Sequence, residues 1–219
     1  MIFIFNFKTY QESRGLNSMV LAEIAYNASK NSQHKIIICP QLTDIQKIID
    51  KFPSTENFEV WAQHIDYMNG DKNTGFITLN TLKSIGVKGS LLNHAEHKVL
   101  ELDISSYLDI CKSFQICFCI PDTFFLSLIR QKFPTFAPTY IAYEPPSLIG
   151  GNISVSQTHP DEILNIVEQF TTYNILVGAG IKNSKDVHIA SKFGAKGIIL
   201  SSGFVLSLDK IKFIQDLIK

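Results

Sequence analysis

The stretch NILVGAGIKNSKDVHIASKFGAKGIILSSG, residues 174–203, contains the alternation that decides the fold. Two short apolar runs, 174–179 and 197–201, flank a segment with helical spacing, 183–194. Gly194 stands where a glycine commonly ends a helix. A strand, a helix and a second strand in this order favour a right-handed crossover between two parallel strands. The stretch therefore predicts a βαβ unit.

The same alternation runs along the rest of the chain. Short, β-branched apolar runs recur without a clear in-and-out alternation, which is typical of parallel strands buried on both faces. The predicted strands are IFIFN (2–6), KIIIC (35–39), FEVWAQ (58–63), GSLLN (89–93), QICFCI (115–120), TYIAYE (139–144), NILVGA (174–179) and GIILS (197–201). The predicted helices include 16–30, 42–52, 122–133, 159–170, 183–194 and 208–219, with cap signals at Thr43-Asp44, Asp122 and Asn183.

Eight strands, each followed by a helical segment, predict one closed parallel sheet. This arrangement in 219 residues fits a (β/α)8 barrel. A doubly wound open sheet is the second choice, but its first strand usually leads into a glycine fingerprint. Here the first strand leads into Asn6-Phe7-Lys8. We therefore predict a single barrel domain over residues 1–219, with long functional or interfacial loops at 64–75 and 145–158.

The composition excludes several classes of function. The chain is 45% hydrophobic and 18% charged, with 20 basic and 20 acidic residues. The balanced charge leaves no basic excess for binding nucleic acid, and no stretch reaches the ~18 apolar residues of a membrane helix. The four cysteines, Cys39, Cys111, Cys117 and Cys119, fit buried free thiols better than metal ligands. We expect a compact cytoplasmic protein without metal, nucleic-acid or membrane partners.

Polar residues follow three of the predicted strands at their carboxyl ends. Asn6 and Lys8 follow the first, His94 and Glu96 the fourth, and Glu144 the sixth. Barrel enzymes build their active sites at this end, so we expect these side chains to converge. A carboxylate with a neutral polarising group and a cation suits proton abstraction beside a carbonyl. Glu144 would take the proton, and His94 and Lys8 would stabilise the enediolate oxygens.

Two glycine-bearing turns follow the last two strands and predict an anion site. Such turns expose backbone N–H groups, and barrels commonly hold phosphate at this position. The predicted ligand is a small phosphorylated molecule. The segment 145–152, with two prolines at one end and two glycines near the other, is interpreted as a lid that would exclude water. The residues of the two turns are Gly178, Gly180, Ser201, Ser202 and Gly203.

Six short motifs, in order and on the expected strand ends, resemble the triosephosphate isomerase family and specifically its shorter archaeal-type members. The resemblance spans nearly the whole chain. It implies a TIM barrel, interconversion of dihydroxyacetone phosphate and D-glyceraldehyde 3-phosphate without a cofactor, and a homodimer or homotetramer. The motifs are NFKTY (6–10), AQHID (62–66) with TG (74–75), LLNHAEHK (91–98), YEPPSLIG (143–150), GAGI (178–181) and SSG (201–203).

The resemblance also implies roles for individual residues. It assigns Lys8 as the electrostatic residue, His94 as the electrophile and Glu144 as the base; a glutamate base with a neutral histidine is the known arrangement of this family. Asn6 would orient the substrate, and Glu96 would support the network. The implied substrate- and phosphate-binding positions are Ile149, Gly150, Gly178, Gly180, Ser201, Ser202 and Gly203.

Ala95 departs from the family, which has a serine in its H-S-E motif. In the family that hydroxyl is a partner of the catalytic glutamate in the open state. We therefore expect Glu144 to be positioned differently and turnover to be lower.

Two other functions stay open. The first is a pentose-phosphate epimerase, which would need a metal or a pair of acidic residues; the set Lys8, His94 and Glu144 matches that requirement poorly. The second is a catalytically impaired barrel that is kept for binding, and Ala95 supports it.

Overall fold

The computed structural model describes residues 1–148 and 154–219. Within these residues eight parallel strands pair in the order β3-β2-β1-β8-β7-β6-β5-β4. Backbone hydrogen bonds from Ala62 to Gly89 (2.9 Å) and from Leu91 to Ala62 (3.0 Å) join the two ends of the sheet. The predicted (β/α)8 TIM barrel is confirmed. The strands are β1 Ile2–Asn6, β2 Lys35–Cys39, β3 Phe58–Val60, β4 Gly89–Leu92, β5 Gln115–Ile120, β6 Tyr140–Tyr143, β7 Ile175–Val177 and β8 Gly197–Leu200.

The helices surround this sheet, and the predicted ones lie within two residues of their observed bounds. Short 3-10 turns add Gln11–Ser13, Glu101–Tyr107 and Pro146–Leu148. The helices in the described residues are α1 Leu16–Lys30, α2 Leu42–Lys51, α3 Leu79–Ser84, α4 Leu108–Ser113, α5 Thr123–Lys132, α6 Val155–Thr158, α7 Pro160–Gln169, α8 Ser184–Lys192, α9 Ser202–Val205 and α10 Lys210–Leu217.

Two of the three predicted helix caps are confirmed. The side chain of Asp122 accepts the backbone N–H of Phe125 in α5, and Asn183 accepts that of Asp186 in α8. The Thr43-Asp44 cap is wrong because α2 already begins at Leu42. Asp44 instead accepts the backbone N–H of Gly15 at 3.0 Å, which ties α2 to the turn before α1.

Strand side chains alternate between the barrel interior and the layer beneath the helices. Ile4, Leu91 and Ile199 belong to the interior cluster, whereas Phe3 and Phe5 pack against the helices. Because the side chains on both faces of the strands are buried, the strands form continuous apolar runs in the sequence. The free thiols of Cys39, Cys117 and Cys119 also lie in the interior cluster.

A polar network fills the amino-terminal end of the barrel. Glu59 accepts the ammonium of Lys35 at 2.6 Å and the indole N–H of Trp61 at 2.8 Å, and the Gln115 amide donates to it at 3.2 Å. Gly89 leaves room for this packing, since a Cβ there would lie 2.5 Å from the Trp61 ring. The opposite, carboxyl end is where the strands lead into pocket-lining turns.

Candidate active site

The turn after β1 fixes Lys8 at the mouth of the barrel. Lys8 has a left-handed backbone (φ 48°), and its N–H donates to the side-chain oxygen of Asn6 at 3.0 Å. The amide of Gln63 donates to the Lys8 carbonyl at 3.0 Å. The Lys8 ammonium then reaches Glu96 at 2.6 Å. The cation is therefore held by backbone geometry and by an ion pair.

The turn after β4 directs His94 into the barrel. Asn93 adopts a left-handed backbone (φ 60°), which asparagine tolerates better than most residues. Its amide donates to the Cys119 carbonyl at 2.8 Å, and its oxygen accepts the N–H of Val99 at 3.1 Å. The buried His94 ring accepts the N–H of Glu96 at Nδ1, at 3.1 Å. Nδ1 then carries no proton, so the imidazole proton lies on Nε2.

Glu144 follows β6 and is buried beside His94. Its Oε2 lies 3.9 Å from Nε2 of His94 and has no hydrogen-bond partner among the described residues. Gly178 makes this placement possible, because a Cβ there would lie 2.5 Å from Cγ of Glu144. Burial raises the pKa of Glu144, and the nearby His94 and the Cys119 thiol partly oppose that shift. A buried carboxylate with a raised pKa is a stronger base than an exposed one.

One pocket brings together most of the residues expected at the site. The side chains that follow β1, β4 and β6 meet the turns that follow β7 and β8. The predicted residues in its lining are Asn6, Lys8, His94, Glu144, Gly180, Ser201 and Ser202. This convergence joins a cation, an imidazole and a carboxylate to two turns of the chain.

Six further lining residues were missed by sequence reasoning: Tyr10, Ala179, Ile181, Lys182, Ile199 and Leu200. Tyr10 and Ile181 could have been found, because they are the last residues of the motifs NFKTY (6–10) and GAGI (178–181), which lie at the ends of predicted strands. Ile199 and Leu200 belong to β8 itself. Their sequence pattern is that of any buried strand and gives no signal of a pocket.

Other predicted residues lie beside the pocket. Gly178 packs behind Glu144, and Glu96 pairs with Lys8 near the surface. A Cβ on Gly203 would lie 3.1 Å from the Phe213 ring, so this glycine permits close packing of α10. The expected phosphate contacts Ile149 and Gly150, and the rest of the predicted lid up to residue 152, lie outside the described residues.

The fold and the pocket define a (β/α)8-barrel protein with its polar groups at the carboxyl ends of the strands. Comparison with known proteins identifies the family. The family model for triosephosphate isomerase matches residues 1–218. The chain belongs to the triosephosphate isomerase family. Among the described residues, no helix has the length and apolar character to cross a membrane.

Three archaeal relatives illustrate this membership, and each bears the name triosephosphate isomerase. The protein of Methanocaldococcus jannaschii is 35% identical, with 100% of this chain and 99% of that protein covered. The Methanothermus fervidus protein is 35% identical, covering 99% and 97%. The Thermoplasma volcanium protein is 36% identical, covering 99% and 98%.

Proposed function

We propose that this protein interconverts dihydroxyacetone phosphate and D-glyceraldehyde 3-phosphate through an enediolate. The observation that carries the proposal is the convergence of Lys8, His94 and Glu144 in one pocket. Oε2 of Glu144 lies 3.9 Å from Nε2 of His94, and no described residue forms a hydrogen bond with this buried oxygen. An unpaired buried carboxylate is costly for stability, so its retention fits a catalytic base.

The proposed reaction assigns one task to each of three side chains. Glu144 removes a proton from C1 of dihydroxyacetone phosphate, and the electron pair moves to the carbonyl oxygen to form the enediolate. His94 donates from Nε2 to the developing oxyanion, while the Lys8 ammonium stabilises its charge. His94 then gives its Nε2 proton to the C2 oxygen and takes the hydroxyl proton from the C1 oxygen, and protonated Glu144 returns a proton to C2, so that C1 becomes the aldehyde carbon. The reverse direction uses the same groups.

The phosphate and lid assignments complete the proposal. Backbone groups of the turns at 178–180 and 201–203 would hold the phosphate, with Ile149 and Gly150 closing over it. Gly180, Ser201 and Ser202 line the same pocket as the three catalytic groups, which supports this arrangement. Closure of the segment 145–152 would exclude water from the enediolate.

We further propose one catalytic domain over residues 1–219, assembled as a homodimer or homotetramer in the cytoplasm. Strands from both ends of the chain belong to one sheet, which supports a single domain. Large apolar side chains such as Leu102, Phe124 and Leu208 are exposed and are available for subunit contacts. Free buried thiols suit a reducing compartment. Light scattering should give two or four times the chain mass; a monomer mass would contradict the assembly.

A coupled assay with D-glyceraldehyde 3-phosphate tests the reaction directly. We expect turnover by the purified protein without an added metal or cofactor, and none with ribulose 5-phosphate as the substrate. A folded wild-type protein without activity on the triose phosphate would overturn the proposal. Activity on the pentose phosphate alone would instead support the epimerase alternative.

A further inference from the structure

Asp186 is a buried carboxylate that the proposed reaction does not use. It lies in the first turn of α8 and is 1% exposed. Its Oδ2 accepts the backbone N–H of Lys182 at 2.9 Å, and its Oδ1 accepts the side-chain amide of Gln157 at 2.5 Å. Asn183 accepts the backbone N–H of Asp186 at 3.1 Å and fixes the start of the helix. Each carboxylate oxygen therefore holds a different segment of the chain.

Of the two segments held by Asp186, one lines the proposed phosphate site and the other is the helix α6. Lys182 ends the turn 179–182, which lines the pocket. Gln157 belongs to α6, the helix that begins shortly after the proposed lid. A third hydrogen bond, from the N–H of Val155 to the Ala179 carbonyl at 3.1 Å, joins the same helix to the same turn. The helix α6 and the phosphate turn are thus connected twice, once through Asp186 and once directly.

The phosphate turn needs such external support because its backbone is unfavourable. Ala179 and Gly180 are consecutive left-handed residues, with φ of 67° and 74°. Alanine disfavours this region because its Cβ crowds the following carbonyl. Hydrogen bonds to a carboxylate are stronger and shorter than those between neutral groups, so Asp186 is suited to hold the turn. Strain at a ligand-binding turn persists only where surrounding contacts fix it.

We propose that Asp186 is a positioning residue that sets the phosphate-binding turn through Lys182 and fixes it against α6 through Gln157. The proposal rests on the proposed function, because it takes the phosphate of the triose as the ligand. Asp186 does not touch the substrate; it acts through the two segments that it holds. Its loss should weaken phosphate binding and expose the enediolate to water.

Asp186→Asn is the principal test, because it keeps the size of the side chain and removes one acceptor oxygen. We expect KM for triose phosphate and the inhibition constant of inorganic phosphate to rise about tenfold, with a smaller change in kcat. We also expect more inorganic phosphate to be released per turnover, since an exposed enediolate can break its C3–O bond and expel phosphate.

Asp209→Asn is the matched control. Asp209 accepts the N–H of Lys212 at the start of α10 at 2.9 Å, so this substitution makes the same chemical change at a helix start that does not hold the phosphate turn. Because asparagine caps a helix about as well as aspartate, we expect Asp209→Asn to leave Tm, KM, phosphate inhibition and phosphate release nearly unchanged. Identical kinetic behaviour of Asp186→Asn and Asp209→Asn would overturn the proposal.

Gln157→Leu tests the connection to α6 separately and keeps the carboxylate if Asp186→Asn fails to fold. It should raise the inhibition constant of inorganic phosphate, although less than Asp186→Asn; an unchanged constant would show that α6 does not support the turn through Gln157. Isothermal titration calorimetry of the wild type and the variants with inorganic phosphate measures the affinity of the turn for phosphate without catalysis. A wild type that binds phosphate but lacks isomerase activity would refute the proposed function and still leave the role of Asp186 measurable. Equal phosphate affinity in wild type and Asp186→Asn would refute the positioning role.

Discussion

Two glutamates are buried in the barrel, one at each end, and their surroundings differ. Glu59, at the amino-terminal end, uses both carboxylate oxygens, which accept from Lys35, Trp61 and Gln115. Glu144, at the carboxyl end, leaves Oε2 without a partner among the described residues. The two residues are 9% and 8% exposed, so burial alone does not separate them. The difference lies in how completely each charge is satisfied.

Backbone strain also differs between the two ends of the barrel. The non-glycine residues with positive φ in the described chain are Lys8, Asn93 and Ala179. They follow β1, β4 and β7, at the carboxyl end of the barrel. Unfavourable conformations and unsatisfied groups concentrate where function requires them. The amino-terminal end of the barrel is therefore arranged for stability, whereas the carboxyl end is destabilised by the groups that a reactive site requires.

Glu144→Gln should give the largest change in activity. The amide cannot accept the substrate proton, so kcat should fall by about a thousandfold, within the range of general-base catalysis. The coupled triose phosphate assay measures this effect, with circular dichroism as the control for folding. A decrease of less than about tenfold would remove Glu144 as the base.

Glu59→Gln should show the opposite behaviour. It removes the charge that pairs with Lys35 and weakens the acceptor of Trp61, and it should lower the free energy of unfolding by about 2 kcal/mol. Both partners are partly screened by solvent, which keeps the effect below that of a fully buried pair. Urea unfolding measures the change. A loss of kcat as large as that of Glu144→Gln would contradict the division between the two ends.

The strands and the long helices of this fold could be predicted because their periodicity is set by burial. Parallel strands that are covered on both faces form apolar runs, and α1 spans more than four turns. The helices Leu79–Ser84 and Leu108–Ser113 have six residues each. Fewer than two turns give little periodic signal, so the sequence predicts a helical segment at each place but not its bounds. Their formation depends on tertiary contacts.

The site was predictable to the extent that its residues follow predicted strands. Lys8, His94 and Glu144 each stand just beyond a strand end, and the barrel topology brings those ends together. Asp186 could not be recognised, because an acidic residue in the first turn is common to many helices. Its partner Gln157 is 29 residues away, and only the folded chain brings the two together.

The pH dependence of stability should distinguish Glu144 further. Its pKa is raised in the folded state from an ordinary value of 4.5, chiefly by burial. As the pH rises above 4.5, the unfolded chain loses this proton first, so the stability of the wild type falls until the folded pKa is passed. Glu144→Gln does not titrate there. It should match the wild type near pH 4 and become the more stable of the two towards pH 7.

Thermal unfolding at a series of pH values measures this difference. Glu59→Gln serves as the comparison, because its destabilisation should arise from lost hydrogen bonds and a lost ion pair rather than from an unpartnered charge. A stability difference between wild type and Glu144→Gln that stays constant from pH 4 to pH 7 would show that the burial of Glu144 carries no cost.

Ala95→Ser should make Glu144 more like Glu59, because the added hydroxyl can donate a hydrogen bond to the Glu144 carboxylate. Ala95 and Glu144 line the same cavity, of about 160 Å³, so a hydroxyl fits without displacing a neighbour. One added hydrogen bond is worth roughly 0.5–1.5 kcal/mol, or about a two- to tenfold rise in kcat/KM if it orients the carboxylate for catalysis. Ala95→Val adds bulk without a hydroxyl and should give no gain. An unchanged rate in Ala95→Ser would mean that the missing hydroxyl does not limit the positioning of Glu144, and that the unpartnered oxygen is set by the barrel interior around Gly178 and His94.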